Sequence, residues 1–217
     1  MTSVQITELF QNLTQNVNLQ DLDLEAICDG DVMKRVSPAL FATVIKKIPT
    51  VNLANAILTK CQIIELLKGV DCDSALINLN ISSNTNLALV RPRLISSFAK
   101  LRKLNLSGCQ LSADQINVFF RSISESCCMM RELDISYNDL SKISLGVMSS
   151  ILRPGLTNLN LSFSWLSLQH IQSFLTSLSS RHSVRTYLDI RQNFQSTQIE
   201  SIKLQAQTLN ILYLIKI

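Results

Sequence analysis

The figure Leu-x-x-Leu-x-Leu, clearest at LRKLNL (residues 101–106), returns along the chain at a nearly constant interval. Its middle position falls on Leu22, Val51, Leu79, Leu104, Leu133, Leu159 and Leu188, which are 29, 28, 25, 29, 26 and 29 residues apart. A last copy, Leu209-x-x-Leu212-x-Leu214, follows 24 residues later, so eight strands are expected. A period of this length marks a solenoid, in which each unit covers its apolar side only by stacking on its neighbours.

Within a unit the periodicity changes once. Around Leu104 it is two, so Leu104 and Leu106 face one way while Lys103, Asn105 and Ser107 face the other. It then becomes helical. Ile116, Phe119, Phe120 and Ile123 stand at i, i+3, i+4 and i+7, as do Ile171, Phe174, Leu175 and Leu178. Ile63, Leu66, Leu67 and Val70 repeat the pattern, and so do Phe41, Val44, Ile45 and Ile48. Helix starts are written at Thr59-x-x-Gln62 and Ser112-x-x-Gln115, which have capping-box form, and at Ser37-Pro38. Each unit therefore reads strand, turn, helix. Helices are about 10 Å wide and strands lie about 4.8 Å apart, so such a stack must curve. The expected fold is α/β, with a curved parallel sheet on the concave face and helices on the convex face.

LNLSGCQLSADQ and LDISYNDL resemble the two alternating unit types of ribonuclease-inhibitor-like leucine-rich repeats, the repeat class of NOD-like receptor sensor domains. In that class one unit type ends its strand segment with Cys and the next with Asn. Here the slot holds Ala56, Cys109 and Ser164 in one series and Asn84, Asn138 and Asn193 in the other. The resemblance spans residues 19–217, about eight strands, and leaves residues 1–18 as an N-terminal capping segment. It implies that each Asn bonds backbone groups along its turn. It also implies the range of roles found in the class: a ribonuclease inhibitor, immune-receptor sensor regions and an activator of the GTPase Ran. Two units depart from the pattern, since ISSNTNL carries one extra residue after Asn84 and the first unit lacks a clear Asn.

Composition excludes several other readings. With 47% apolar and 17% charged residues, 5 Gly and 4 Pro, the chain suits one continuous domain. MTSVQITELFQNLTQ lacks the apolar run of a secretory signal, and no window of 18 apolar residues exists, so a cytoplasmic or nuclear protein is expected, with no membrane partner. Cys28, Cys61, Cys72, Cys109, Cys127 and Cys128 then read mostly as small buried hydrophobes. The net charge of +4 is modest, and its densest stretch, Arg91 to Lys103, lacks the features of a nucleic-acid-binding face.

Nothing in the sequence reads as a reaction centre. GxxxxGK, GxGxxG, CxxC and HExxH are absent, so no enzyme activity, cofactor or metal site is expected. His170 reads as a partly exposed structural residue on a helix and His182 as part of a polar turn. What remains is a surface. Asp21, Asp23 and Glu25, then Lys103, Glu132, Asp134, Tyr137, Phe163, Tyr187, Asp189 and Arg191, are the expected partner-binding residues of the concave face. Interface cores favour Tyr, Trp, Phe and Arg, which singles out the segment from Tyr137 to Arg191. The expected function is a non-catalytic protein-interaction scaffold, with a small-GTPase regulator and a receptor sensor fragment as alternatives. The apolar strand expected at Leu209–Leu214 is a candidate for self-association.

Overall fold

The computed structural model describes residues 2–15, 18–26, 30–70, 73–125, 129–152, 155–180 and 186–217. Helix α1 (Ser3–Leu13) precedes strand β1 (Asp21–Asp23). There follow α2 (Gly30–Lys34), α3 (Pro38–Ile45), β2 (Thr50–Asn52), α4 (Lys60–Gly69) and β3 (Asn78–Asn80). The middle of the chain carries α5 (Pro92–Ile95) between two 3-10 turns, β4 (Lys103–Asn105), α6 (Ala113–Glu125), β5 (Glu132–Asp134) and α7 (Leu145–Ser150). The last part holds β6 (Asn158–Asn160), α8 (Leu168–Ser180), β7 (Tyr187–Asp189), α9 (Ser196–Thr208) and β8 (Ile215–Lys216).

These eight strands form one parallel sheet in chain order. Its register aligns Leu22, Val51, Leu79, Leu104, Leu133, Leu159 and Leu188 in a single row. From Val51 onward that row is buried, and a second buried row, Leu53, Ile81, Leu106, Ile135, Leu161 and Ile190, runs beside it. The apolar stripes of α3, α4, α6 and α8 close over both rows. At the end of the stack the register departs from expectation. Ile215, not Leu212, pairs with Leu188, because α9 runs to Thr208 and Leu212–Leu214 form a 3-10 turn before the strand begins. Leu214 is buried there, so the exposed apolar strand expected at this end is reduced to Ile215–Lys216.

Unit length decides how the convex side is built. The 29-residue units from Leu104 and Leu159 carry the 13-residue helices α6 and α8. The 25-residue unit from Leu79 and the 26-residue unit from Leu133 carry only the four-residue α5 and the six-residue α7. An α-helix advances about 1.5 Å per residue and a 3-10 helix about 2.0 Å, so a unit with fewer residues must return in a more extended form. The extra residue in ISSNTNL is absorbed in the 3-10 turn Thr85–Leu89, which still buries Leu87.

Polar groups hold neighbouring turns together. Asn138 Oδ1 accepts from the Leu111 N–H at 3.0 Å, and its Nδ2 donates to the Leu106 and Ile135 carbonyls at 2.9 and 3.1 Å. Asn84 binds Leu58, Leu53 and Ile81 in the same way, and Asn193 binds Leu166, Leu161 and Ile190. Between them Ala56, Cys109 and Ser164 are buried. Burial pushes the Cys109 thiol up to about 12, which keeps it protonated and inert. Cys61 differs from expectation: it is exposed on the first turn of α4. Cys28, Cys72, Cys127, Cys128 and His182 lie outside the described residues.

The caps reach farther than their sequence form shows. Gln62 closes the box with Thr59, and its Nε2 also donates to the Met33 and Val36 carbonyls of the preceding unit at 2.7 and 2.9 Å. Gln115 repeats this on Leu87 and Val90. His170 occupies the same slot, with Nδ1 against Ser167 and Nε2 at 2.9 Å from the Ile143 carbonyl. It is buried, not partly exposed, because it staples two units.

Candidate protein-binding face

Every strand from β1 to β7 ends in Asp or Asn, and each of these side chains accepts from the backbone N–H two residues on. Asp23, Asn52, Asn80, Asn105, Asp134, Asn160 and Asp189 do so at 2.9 to 3.2 Å, turning the chain out of the sheet. The turn needs an Asx oxygen and no charge, since four of the seven are Asn. Negative charge at 23, 134 and 189 is thus additional to what the turn requires.

The residues flanking the buried row line a concave trough of about 800 Å³ that runs from Thr50 of β2 to Lys216 of β8. Lys103 and Glu132 pair across it at 2.8 Å, and Asp134 accepts from Asn160 at 2.8 Å. Tyr187 stands in it 59% exposed. Arg191, in the turn after β7, binds Asp189 at 2.7 Å. Burial alone would raise the Asp189 carboxyl, but the hydrogen bonds and charge of Arg191 outweigh it and hold the carboxyl below its ordinary value. Asp21 and Asp23 extend the face on β1, and Glu25, in the following turn, accepts from the Asn52 amide at 3.0 Å. In the floor, Asn78 donates to Thr50 while its buried Oδ1 has no partner among the described residues.

Two of the expected residues lie elsewhere. Tyr137 and Phe163 sit three residues beyond their strands, in the turn, with φ of 55° and 54°, so the alternation that would aim them into the trough has already ended. They stack on each other at 4.4 Å on the rim, beside Trp165. Conversely, Tyr213 and Lys216 line the trough unforeseen, because their place depends on the shifted register of β8. Among the described residues no group of three or more His, Cys, Asp or Glu could hold a metal ion, and no helix is long and apolar enough to cross a membrane.

No family model and no curated protein matches the sequence. Among solved structures, the leucine-rich repeat-containing protein LegL7 from Legionella pneumophila is similar at a TM-score of 0.52 and 14% identity, over 94% of this chain and 77% of that one. The chain has the leucine-rich-repeat fold. The tropomodulin C-terminal domain from Caenorhabditis elegans is a looser likeness, with a TM-score of 0.40 at 12% identity over 95% and 92% of the two chains, and does not bear on the fold. In this chain the trough lies on the sheet side of the fold and is open to solvent.

Proposed function

We propose that this leucine-rich-repeat protein is a non-catalytic scaffold, of the cytoplasm or nucleus, whose concave face binds a basic segment of a protein partner. The observation that carries the reading is charge segregation. The chain has a formal net charge of +4, yet its trough is lined by three carboxylates, Glu132, Asp134 and Asp189, against two cations, Lys103 and Lys216; Asp21, Asp23 and Glu25 add three more carboxylates at the β1 end, and Arg191 pairs with Asp189 in the turn beyond. Three of those carboxylates stand where Asn would serve the turn equally well. Opposed potentials steer association and select partners, so this face favours Lys- or Arg-bearing segments.

The test removes charge without removing the turn. Asp23→Asn, Asp134→Asn and Asp189→Asn together should leave circular dichroism and the melting temperature nearly unchanged. Affinity for the captured partner should fall about tenfold or more, with a weaker dependence on salt. Unchanged affinity would move the binding surface off the concave face. Self-association, where it occurs, is proposed to use the outer edge of β8, and the two alternating turn types support reading the repeats as ribonuclease-inhibitor-like.

A further inference from the structure

The third residue after each strand adopts a left-handed conformation throughout the solenoid. Ala26, Asn55, Ser83, Gly108, Tyr137, Phe163 and Gln192 have φ between 47° and 65°. Alternate units add a second such position two residues later, at Ile57, Gln110 and Trp165. Left-handed backbone disfavours any Cβ, and a bulky residue there is an outlier. The first units meet the demand with small or amide side chains, except at Ile57, which is 45% exposed. Units five and six do not: Tyr137, Phe163 and Trp165 occupy these sites and are 57%, 41% and 76% exposed. The aromatics therefore sit where the backbone resists them and where the core gains little from them, a combination expected of a binding site.

They line a hollow of about 620 Å³ on the rim, in which Gln192, Gln195 and Gln198 face them and no charged residue takes part. Of the glutamines at the start of α9, one is already half used. The Gln198 Oε1 accepts from the Gln195 N–H at 3.3 Å, while the Gln198 N–H donates to the Gln195 backbone carbonyl at 3.0 Å. The Gln198 oxygen is thus committed to the helix cap, leaving its amide NH₂ group as a donor. With the Trp165 indole N–H and the Tyr137 hydroxyl, the hollow offers donors and flat aromatic faces. Its complement is an uncharged ligand that carries acceptors and can lay apolar rings on aromatics.

We propose that this rim hollow binds a proline-rich segment in polyproline II conformation. Proline lacks an N–H, its carbonyls are left free by a helix without internal hydrogen bonds, and its rings pack on aromatic faces. The site is separate from the concave trough, so either can fail without the other.

Trp165 is the only tryptophan, so its fluorescence reports on the hollow alone. Decaproline should shift its emission saturably at micromolar to millimolar concentration, while a Gly-Ser peptide of equal length and a linear hexasaccharide should not. Phe163→Gly should weaken decaproline binding about tenfold or more, yet leave the melting temperature unchanged or raised, because glycine relieves the left-handed backbone. Tyr137→Asn should behave likewise. No saturable shift with decaproline, an equal shift with the Gly-Ser peptide, or a shift with the saccharide alone would overturn the assignment. So would a clear fall in melting temperature for both variants, which would make the aromatic stack structural.

Discussion

At the residue scale the side chain that matters most to stability is an amide. Asn138 is buried and satisfies groups on two successive turns, so Asn138→Ala strands the Leu111 N–H and the Leu106 carbonyl in the interior. Leaving such groups unpaired costs about 1–3 kcal/mol each, and we expect a loss of about 3 kcal/mol in denaturant unfolding. His170 offers a finer comparison. Gln62 and Gln115 fill the same slot, so His170→Gln should cost under about 1 kcal/mol and His170→Ala about 2 kcal/mol, from loss of both the cap and the staple. The acid limb of stability should register Asp189. Its pKa is lowered in the folded chain, so its contribution is full above the unfolded value near 4 and is lost as pH falls through the folded value. Asp189→Asn should make melts between pH 3 and 7 less steep below about pH 4, by a small amount because Arg191 is exposed.

Among the elements, α1 shows what the first unit demands. Ile6 and Phe10 are fully buried, and Phe10 stacks on Phe41 of α3 at 5.8 Å. If residues 1–18 act as the cap proposed from the repeat pattern, Phe10→Ala should cost about 3 kcal/mol and loosen exchange protection first in α3 and β2. Uniform loosening across all units would assign α1 a different role. The helices were legible because four apolar residues at i, i+3, i+4 and i+7 form a stripe with one solution, as α6 and α8 show. The last strand was misread by three residues because the spacing of Leu209, Leu212 and Leu214 matches the figure by apolar count alone. α9 stops at Thr208 and Asn210 turns left-handed, which brings Ile211 and Leu214 into the core before the strand begins. The long reach of Gln62 and Gln115 was likewise hidden, since a capping box names only its local partner.

For the whole molecule, the row of leucines carries both the prediction of the fold and its cooperativity. Leu104 and Leu133 are buried and adjacent in register, so Leu104→Asp or Leu133→Asp should unfold several units together, at a cost above about 4 kcal/mol. An unchanged melting temperature would remove these positions from the core. The strand centres were legible because alternation and a repeat interval agree on them. The rim was not, because strand alternation stops at the Asx turn and cannot say where Tyr137 and Phe163 point. The surplus of carboxylates on the concave face could be read from the strands, but its separability from the turns could not, since their hydrogen bonds show it. The account therefore rests on the claim that this charge serves a partner. Its most direct test is affinity capture from native cell extract with three forms of the chain: unaltered, Asp23→Asn/Asp134→Asn/Asp189→Asn, and the convex-face variant Glu65→Gln/Glu200→Gln. The account predicts one captured protein, basic at the cross-linked segment, that is retained by the unaltered and convex-face forms and lost by the concave-face variant. Equal capture by all three forms, with the concave variant shown to be folded, would contradict it.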